Sequence, residues 1–399
     1  MIPISGEKTA VIGKKWTWQA GWSRSWTKWI PNRARDWCSP STPSSSGLRK
    51  SRQLKAIGAR GCALVALDPN NGEVKALVSR PGFDPNWFVN GISEKNWKYL
   101  NTDPFHPMTD KVIAGEYPPG STFKIVTGSA ALEEKKVTPN ELICDSGRHW
   151  LIDMRNAGGE ALGYINFKRA LAASDNVYFY EMGNRVGIDL LDKYAREFGF
   201  GQTTGIDLHG EAQGLIATPE YKKKVFDDEW YLGDTFNTAI GQGFTLATPI
   251  QVAEMLSAVA TDGKRYKPHL VSKILNDDGS VAKTFEPEEE GKLPISEATL
   301  KLIQEGLEAV TEEGGTAAFL KNLPVPVAGK TGTAENPHGL EHGWFIAYAP
   351  AKKPQLVVVC IVEQGSYGTI SAAPIVKSIL EYVFTDPRVR RQGKQGSKK

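Results

Sequence analysis

The chain has 399 residues, 40% of them apolar and 23% charged, and a formal net charge of +3. Such a balance fits a chain with a sizeable core and excludes wholesale disorder. The charge is unevenly spread: residues 1–60 hold twelve Lys/Arg against two Asp/Glu and residues 385–399 hold six against one. The stretch between them is net acidic, which does not match a uniformly basic nucleic-acid binder, and no nucleic-acid partner is expected.

The first 57 residues are basic and rich in Trp, Ser and Pro, with six of the eleven tryptophans and the run SPSTPSSSG. They show neither helical nor strand periodicity. One reading is a disordered leader or linker. The other is a frameshifted translation. The codons of Trp26 to Ser51 can be chosen so that a shifted frame reads DKVDTEPGKGLVLTIDSQLQRVAEK, a string with alternating apolar residues, a turn and a helix start.

From Gly61 the pattern is regular, and residues 58–385 are expected to fold alone as one domain. CALVALD-PNNG-EVKALVS predicts a hairpin reversing at Asn and Gly. The loop GEYPPG leads to Ser121, and STFKIVTGSAALEEKK predicts a helix with Ser121 at its start. TPIQVAEMLSAVATDG predicts a helix, GWFIAYAP-AKKP-QLVVVCIVEQ a second hairpin, and SAAPIVKSILEYVF a closing helix. Strands at both ends with helices between them point to the α+β class. Residues 386–399 form a basic tail, expected to be a solvated end. The longest clear apolar run, Leu356–Val362, falls far short of the ~18–20 residues that span a bilayer. No signal-peptide core is evident at the N-terminus.

Acyl transfer through serine needs a nucleophile, a base within reach and donors for the developing oxyanion. Ser121 and Lys124 stand three apart, so on a helix they share a face, and a helix N-terminus supplies free backbone N–H groups. This pair is weak evidence by itself, because serine and lysine at the same spacing recur at Ser25/Lys28 and Ser280/Lys283. The second element is Ser174-Asp175-Asn176, at a junction between two apolar helical stretches, where a simple helix cap is the bland alternative. The third is Lys330-Thr331-Gly332-Thr333, shortly before a predicted strand; its glycine lets an extended backbone approach closely. A phosphate-binding loop is excluded there, since Pro324 stands where that loop needs glycine. Neither a GxSxG elbow nor an HExxH helix is present.

In this order the three elements make a strong combination. From about Gly61 to Phe384, the chain resembles the transpeptidase domain of class B penicillin-binding proteins, and within them the penicillin-binding protein 2, cell-elongation, type. The strings that carry the resemblance are GEYPPGSTFK, SDNVYFYEMG, TGIDLHGEAQGLIATPEYK, GDTFNTAIGQGFTLATPIQVA and AGKTGTAE. The shifted-frame LTIDSQLQ resembles what precedes this domain in the family. The fold it implies is an antiparallel sheet flanked by helices, with an all-helical subdomain.

The resemblance also implies roles. Ser121 is the nucleophile toward the penultimate D-alanine of a peptidoglycan stem peptide, Lys124 the general base and Ser174 a proton relay. Lys124 is expected to be kept neutral by the charge of Lys330 and by partial burial. Asn176, Lys330, Thr331, Gly332 and Thr333 hold the substrate, and the Ser121 and Thr333 N–H groups form the oxyanion hole. Stem peptides and β-lactams are the expected ligands, a membrane glycan polymerase the expected partner, and no cofactor is implied. The family's location is the cell membrane, with the catalytic domain outside the cytoplasm. Family members carry a transmembrane helix and a pedestal domain that this sequence lacks, so it is expected to be a fragment or a broken reading frame. Some relatives bind zinc nearby; Cys144, Asp145 and His149 match no ligand pattern and are expected to be structural. The rival readings are a β-lactamase or carboxypeptidase, which releases the acyl group to water, and a truncated, non-catalytic β-lactam- or partner-binding module.

Overall fold

A computed structural model describes residues 61–385, together with three short strand segments, Val11–Ile12, Lys14–Lys15 and Thr17–Gln19. Apart from those segments, the leader and the basic tail 386–399 lie outside the described residues.

The chain from Gly61 opens with the hairpin Gly61–Leu67 (β1) and Val74–Arg80 (β2). The helix Lys124–Glu133 (α1) follows, then the short pair Ile143–Asp145 (β3) and Gly163–Ile165 (β4). Next come Phe167–Ala173 (α2), Asn176–Val186 (α3), Ile188–Glu197 (α4), Leu232–Ala239 (α5), Pro249–Ala260 (α6) and Glu297–Ala309 (α7). The strands Ala328–Ala334 (β5), His342–Ala349 (β6) and Leu356–Glu363 (β7) and the helix Ala372–Thr385 (α8) complete the domain.

The principal sheet has the order β5-β6-β7-β1-β2, antiparallel at every pairing. The first hairpin thus docks on a strand nearly three hundred residues later. β1 and β7 sit in the interior of the sheet, and their near-continuous apolar sequences, GCALVAL and LVVVCIVE, follow from burial on both faces. Ala63, Val65, Val357, Val359 and Ile361 share one core with α6 and the helical subdomain. Their neighbours Leu64, Ala66, Val358, Cys360 and Val362 turn to the other face, against α8. All twelve residues of α6 are buried, and Thr248 with Gln251 forms a capping box ahead of Pro249. α1, α2, α3, α4, α5 and α7 pack on one another as the all-helical part. The α+β architecture and both apolar hairpins agree with the sequence reading.

One boundary differs. Ser121 does not open the helix; it lies in a 3-10 turn, Gly120–Thr122, and α1 begins at Lys124. Residues three apart eclipse in a 3-10 turn, so serine and lysine still share a side. Among the described residues no helix is long and apolar enough to cross a membrane.

Because β7 joins the two hairpins, truncating its core residues opens a cavity between sheet and helices. Ile361→Ala should lower unfolding free energy by about 2–5 kcal/mol in urea titrations; a loss under about 0.5 kcal/mol would show that this strand does not carry the core.

Candidate active site

Three chain segments converge at the sheet edge formed by β5. The first is the turn carrying Ser121. Gly120 has φ of +54°, and a Cβ there would lie 2.6 Å from Thr333 O. Only glycine allows both the left-handed conformation and this approach, which sets the backbones of Ser121 and Thr333 side by side. Gly241 closes the other flank: its carbonyl accepts Gly120 N–H at 2.8 Å, and a Cβ on Gly241 would meet Gly120 O at 2.4 Å. Trp344 Nε1 donates to Pro118 O at 3.0 Å, and Tyr117 exchanges two backbone bonds with Ala247. The Ser121 loop is therefore braced from the sheet and from the helical side. Ser121 is partly exposed, and its hydroxyl has no hydrogen-bond partner among the described residues.

The second segment is the turn between α2 and α3. Ser174 ends α2 in the left-handed conformation, with φ of +60° and ψ of 36°, and Asp175 caps α3 by accepting Tyr178 N–H at 2.6 Å. A serine held there is strained backbone, sustained by its surroundings. The turn aims Ser174 Oγ at Lys330 and Asn176 Oδ1 at Lys124.

β5 is the third. Lys330 Nζ donates to Ser174 Oγ at 2.6 Å and to Thr331 O at 3.0 Å. Lys124 Nζ donates to Ser174 O at 2.7 Å and to Asn176 Oδ1 at 2.6 Å. Both lysines are fully buried, yet every one of these acceptors is a neutral oxygen. Burial lowers the Lys124 amine to about 7, with Asp175 pulling the other way. Lys330 is held well below its ordinary value, by burial first and then by the charge of Lys124. The sequence reading puts like-charge repulsion from Lys330 first for Lys124; burial does that work instead, because the whole side chain is buried.

The structure brings Ser121, Lys124, Ser174, Asn176, Lys330, Thr331, Gly332 and Thr333 into one cleft, though not as a single hydrogen-bonded chain. Lys124 is engaged by the α2–α3 turn rather than by Ser121 Oγ. Thr331 is nearly buried, its Oγ1 2.9 Å from Thr316 Oγ1. Thr333 is partly exposed, and its carbonyl accepts from Gln242 Nε2 at 3.1 Å. A Cβ on Gly332 would meet Trp344 Cβ at 2.9 Å and Thr122 Cγ2 at 3.1 Å, so this glycine lets β5 lie close to the Ser121 turn.

The Cys144, Asp145 and His149 side chains have separate fates. Cys144 is an exposed free thiol, Asp145 accepts from Gly147 N–H, Leu162 N–H and Asn156, and His149 Nε2 meets Glu181 Oε2 at 3.2 Å. Among the described residues no three His, Cys, Asp or Glu are grouped to hold a metal ion.

The sequence reading missed Gln242, Thr316 and Asn156. Gln242 sits inside a quoted string, GQG, but nothing in the string showed that its amide reaches across to β5. For Thr316 and Asn156 no sequence signal exists, since both act across long chain separations.

Two buried lysines thus lie near a partly exposed serine at the open edge of a sheet. The chain belongs to the penicillin-binding protein transpeptidase domain family, whose model matches residues 62–381. It is 33% identical over 367 residues to the peptidoglycan D,D-transpeptidase MrdA of Acinetobacter baumannii, covering 84% of this chain and 52% of that protein. Against the crystal structure of Pseudomonas aeruginosa PBP2 in complex with WCK 5153, the identity is 35% and the TM-score 0.75, over 84% of this chain and 78% of that one. A structure described as coordinating polymerization and crosslinking by a peptidoglycan synthase complex gives 35% identity and a TM-score of 0.74, over 90% of this chain and 60% of that one. The chain spans about half the length of the MrdA relative.

The cradle around Gly120 yields a direct test. Gly120→Ala should destabilise the domain by about 1–3 kcal/mol in thermal or urea unfolding and displace the Ser121 turn from Thr333. A variant as stable and as readily acylated as the parent would contradict this close approach.

Proposed function

We propose that this domain is a D,D-transpeptidase that cross-links peptidoglycan stem peptides through an acyl-enzyme on Ser121. The observation that carries the reading is the meeting of two buried lysines, poised toward their neutral forms, on Ser174 beside a partly exposed serine.

Ser121 Oγ attacks the carbonyl carbon of the penultimate D-alanine, and its proton passes to Lys124. The peptide bond to the last D-alanine breaks, the leaving nitrogen takes a proton delivered through Ser174, and free D-alanine departs. An amine from a neighbouring stem peptide then attacks the ester, loses its proton to the same base, and restores the Ser121 hydroxyl. The Ser121 and Thr333 N–H groups stabilise the tetrahedral oxyanion. Asn176 has its Oδ1 committed to Lys124, while its Nδ2 has no partner among the described residues. That amide N–H donates to a substrate carbonyl. Lys330, Thr331 and Thr333 receive the terminal carboxylate, and Gly332 admits the extended peptide along β5. β-Lactams mimic the terminal dipeptide and acylate Ser121.

This substrate lies outside the cytoplasmic membrane, and the domain works there, at the membrane's outer face. A membrane glycan polymerase is its partner, a reading supported by its likeness to the synthase complex that couples polymerization to crosslinking. The chain from residue 58 to 385 is the catalytic unit, and the leader and tail take no part in the chemistry.

Incubation with a labelled penicillin, followed by mass spectrometry of the digest, should find a stable adduct on the peptide containing Ser121. Ser121→Ala should abolish it. Rapid release of hydrolysed penicillin would favour the β-lactamase reading, and a folded protein without adduct would favour the binding module.

The acylation rate carries a second signature. A base must be unprotonated to accept the serine proton, so with Lys124 lowered to about 7 the rate should rise about tenfold per pH unit below 7 and level off above it. A profile flat from pH 5 to 8 would remove Lys124 from that role.

A further inference from the structure

The catalytic turn Ser174-Asp175-Asn176 is held from outside by one residue that no motif includes. Asn156 lies in the loop between β3 and β4, half-buried, and its side chain makes contacts in two directions. Its Oδ1 accepts from Asn176 N–H at 2.7 Å and Val177 N–H at 3.1 Å. Its Nδ2 donates to Asp175 Oδ2, to Asp145 Oδ2 and to Glu160 O, each at 2.9 Å.

The acceptor contacts solve a particular problem. The first N–H groups of a helix have no partner within it. At the start of α3 the third of them, on Tyr178, is taken by Asp175 in the usual capping manner. Asp175 leaves the two before it without an acceptor of its own. Asn156 supplies their acceptor from a different part of the chain, fixing the orientation of Asn176 itself, whose Oδ1 accepts from Lys124.

The donor contacts solve a second problem. Asp145 and Asp175 are both buried and close to one another. Burial first, and then the neighbouring Asp145, push the Asp175 carboxyl up to about 6. The Asn156 amide stands between the two carboxylates and donates to both. Only a side chain with an acceptor and two donors on one planar group can satisfy the helix N–H groups and the carboxylates together. Asp145 is anchored in turn by Gly147 N–H and Leu162 N–H, so the load runs into the β3–β4 pair.

We infer that Asn156 is a positioning residue for acyl transfer: by clamping the start of α3 to Asp145 and Asp175, it sets Ser174 and Asn176 against Lys330 and Lys124. It acts through those residues and touches neither the nucleophile nor either lysine. The inference rests on the acyl-transfer reading for its effect on rate, while the clamp itself can be measured without any reaction.

Two variants of the full chain test it. Asn156→Ala should raise the hydrogen–deuterium exchange rate of the Asn176 and Val177 amides at least about tenfold, since both lose their acceptor. With penicillin as probe, its second-order rate of Ser121 acylation should fall by about tenfold to a hundredfold, counted per folded molecule from the thermal unfolding curve. Asn156→Asp keeps the shape and the acceptor but loses the amide donors. It meets Asp145 from β3 and Asp175 from the α2–α3 turn, with Lys124 of α1 behind Asp175; Arg148 and Arg155 of its own loop pair with exposed Asp153. Protonated, the new acid still donates; ionised, it repels both carboxylates. Its acylation rate relative to the parent should therefore be highest near pH 5.5 and fall about tenfold by pH 8. A merely structural defect would lower the rate by the same factor at every pH.

Unchanged exchange at Asn176 and Val177 in the alanine variant would overturn the clamp, whatever the enzyme does. Accelerated exchange with unchanged acylation per folded molecule would overturn the positioning role. A parent protein that takes no penicillin at all would count against the acyl-transfer reading instead, and the exchange result would still decide the clamp.

Discussion

Two fully buried lysines that meet on Ser174 are the constraint on which the site depends. Burying an ammonium group is costly unless it is paired, and the usual solution is a carboxylate at hydrogen-bonding distance. Here Lys124 and Lys330 are instead given to a hydroxyl, two carbonyls and an amide oxygen. These accept from the N–H groups but bring no countercharge to offset burial, so each amine is pushed toward its neutral form. Neutral amines accept protons. What makes the site expensive to fold also leaves these amines close to their neutral forms near neutral pH.

Everything around the lysines serves to keep that arrangement from relaxing. β5 is fixed through the antiparallel order to β1 and β7, which are buried on both faces. The Ser121 turn is wedged by glycines at Gly120 and Gly241 against backbone on two sides. The α2–α3 turn is strained at Ser174 and clamped by Asp175 and Asn156. A loosely held version of any of the three would let a lysine find water or a carboxylate, and would return it toward the charged form.

How much of this was legible in the sequence depends on the range of the interaction. Both apolar hairpins and the helix behind TPIQVA follow from local pattern, because strands buried on both faces must read as continuous runs such as LVVVCIVE. Ser121, Lys124, Ser174 and Lys330 were readable because their motifs are compact. The detail between them was not. That Ser121 sits in a 3-10 turn ahead of the helix is a boundary effect set by tertiary contact with Thr333 and Gly241, which local propensity does not encode. Gln242 on Thr333 and Thr316 on Thr331 span ninety-one and fifteen residues, and their partners exist only once the sheet edge has formed.

The order of residues in Ser174-Asp175-Asn176 follows from the same electrostatics. Position 176 faces Lys124 across 2.6 Å, and an aspartate there would pair with the ammonium and hold it charged. An amide satisfies the same N–H with no net charge. Position 175 faces the start of a helix, where the partial positive charge and free N–H groups favour a carboxylate. Asp175 does influence Lys124 electrostatically, but its oxygens are taken up by Tyr178 N–H and Asn156 Nδ2. The carboxylate is thus placed one residue away from where it would disable the site, and the neutral amide stands at the point of contact. Exchanging the two would keep the composition of the turn and its helix cap, since a helix start accepts an amide as readily as an acid, but it would set a carboxylate against Lys124 and hold the amine charged.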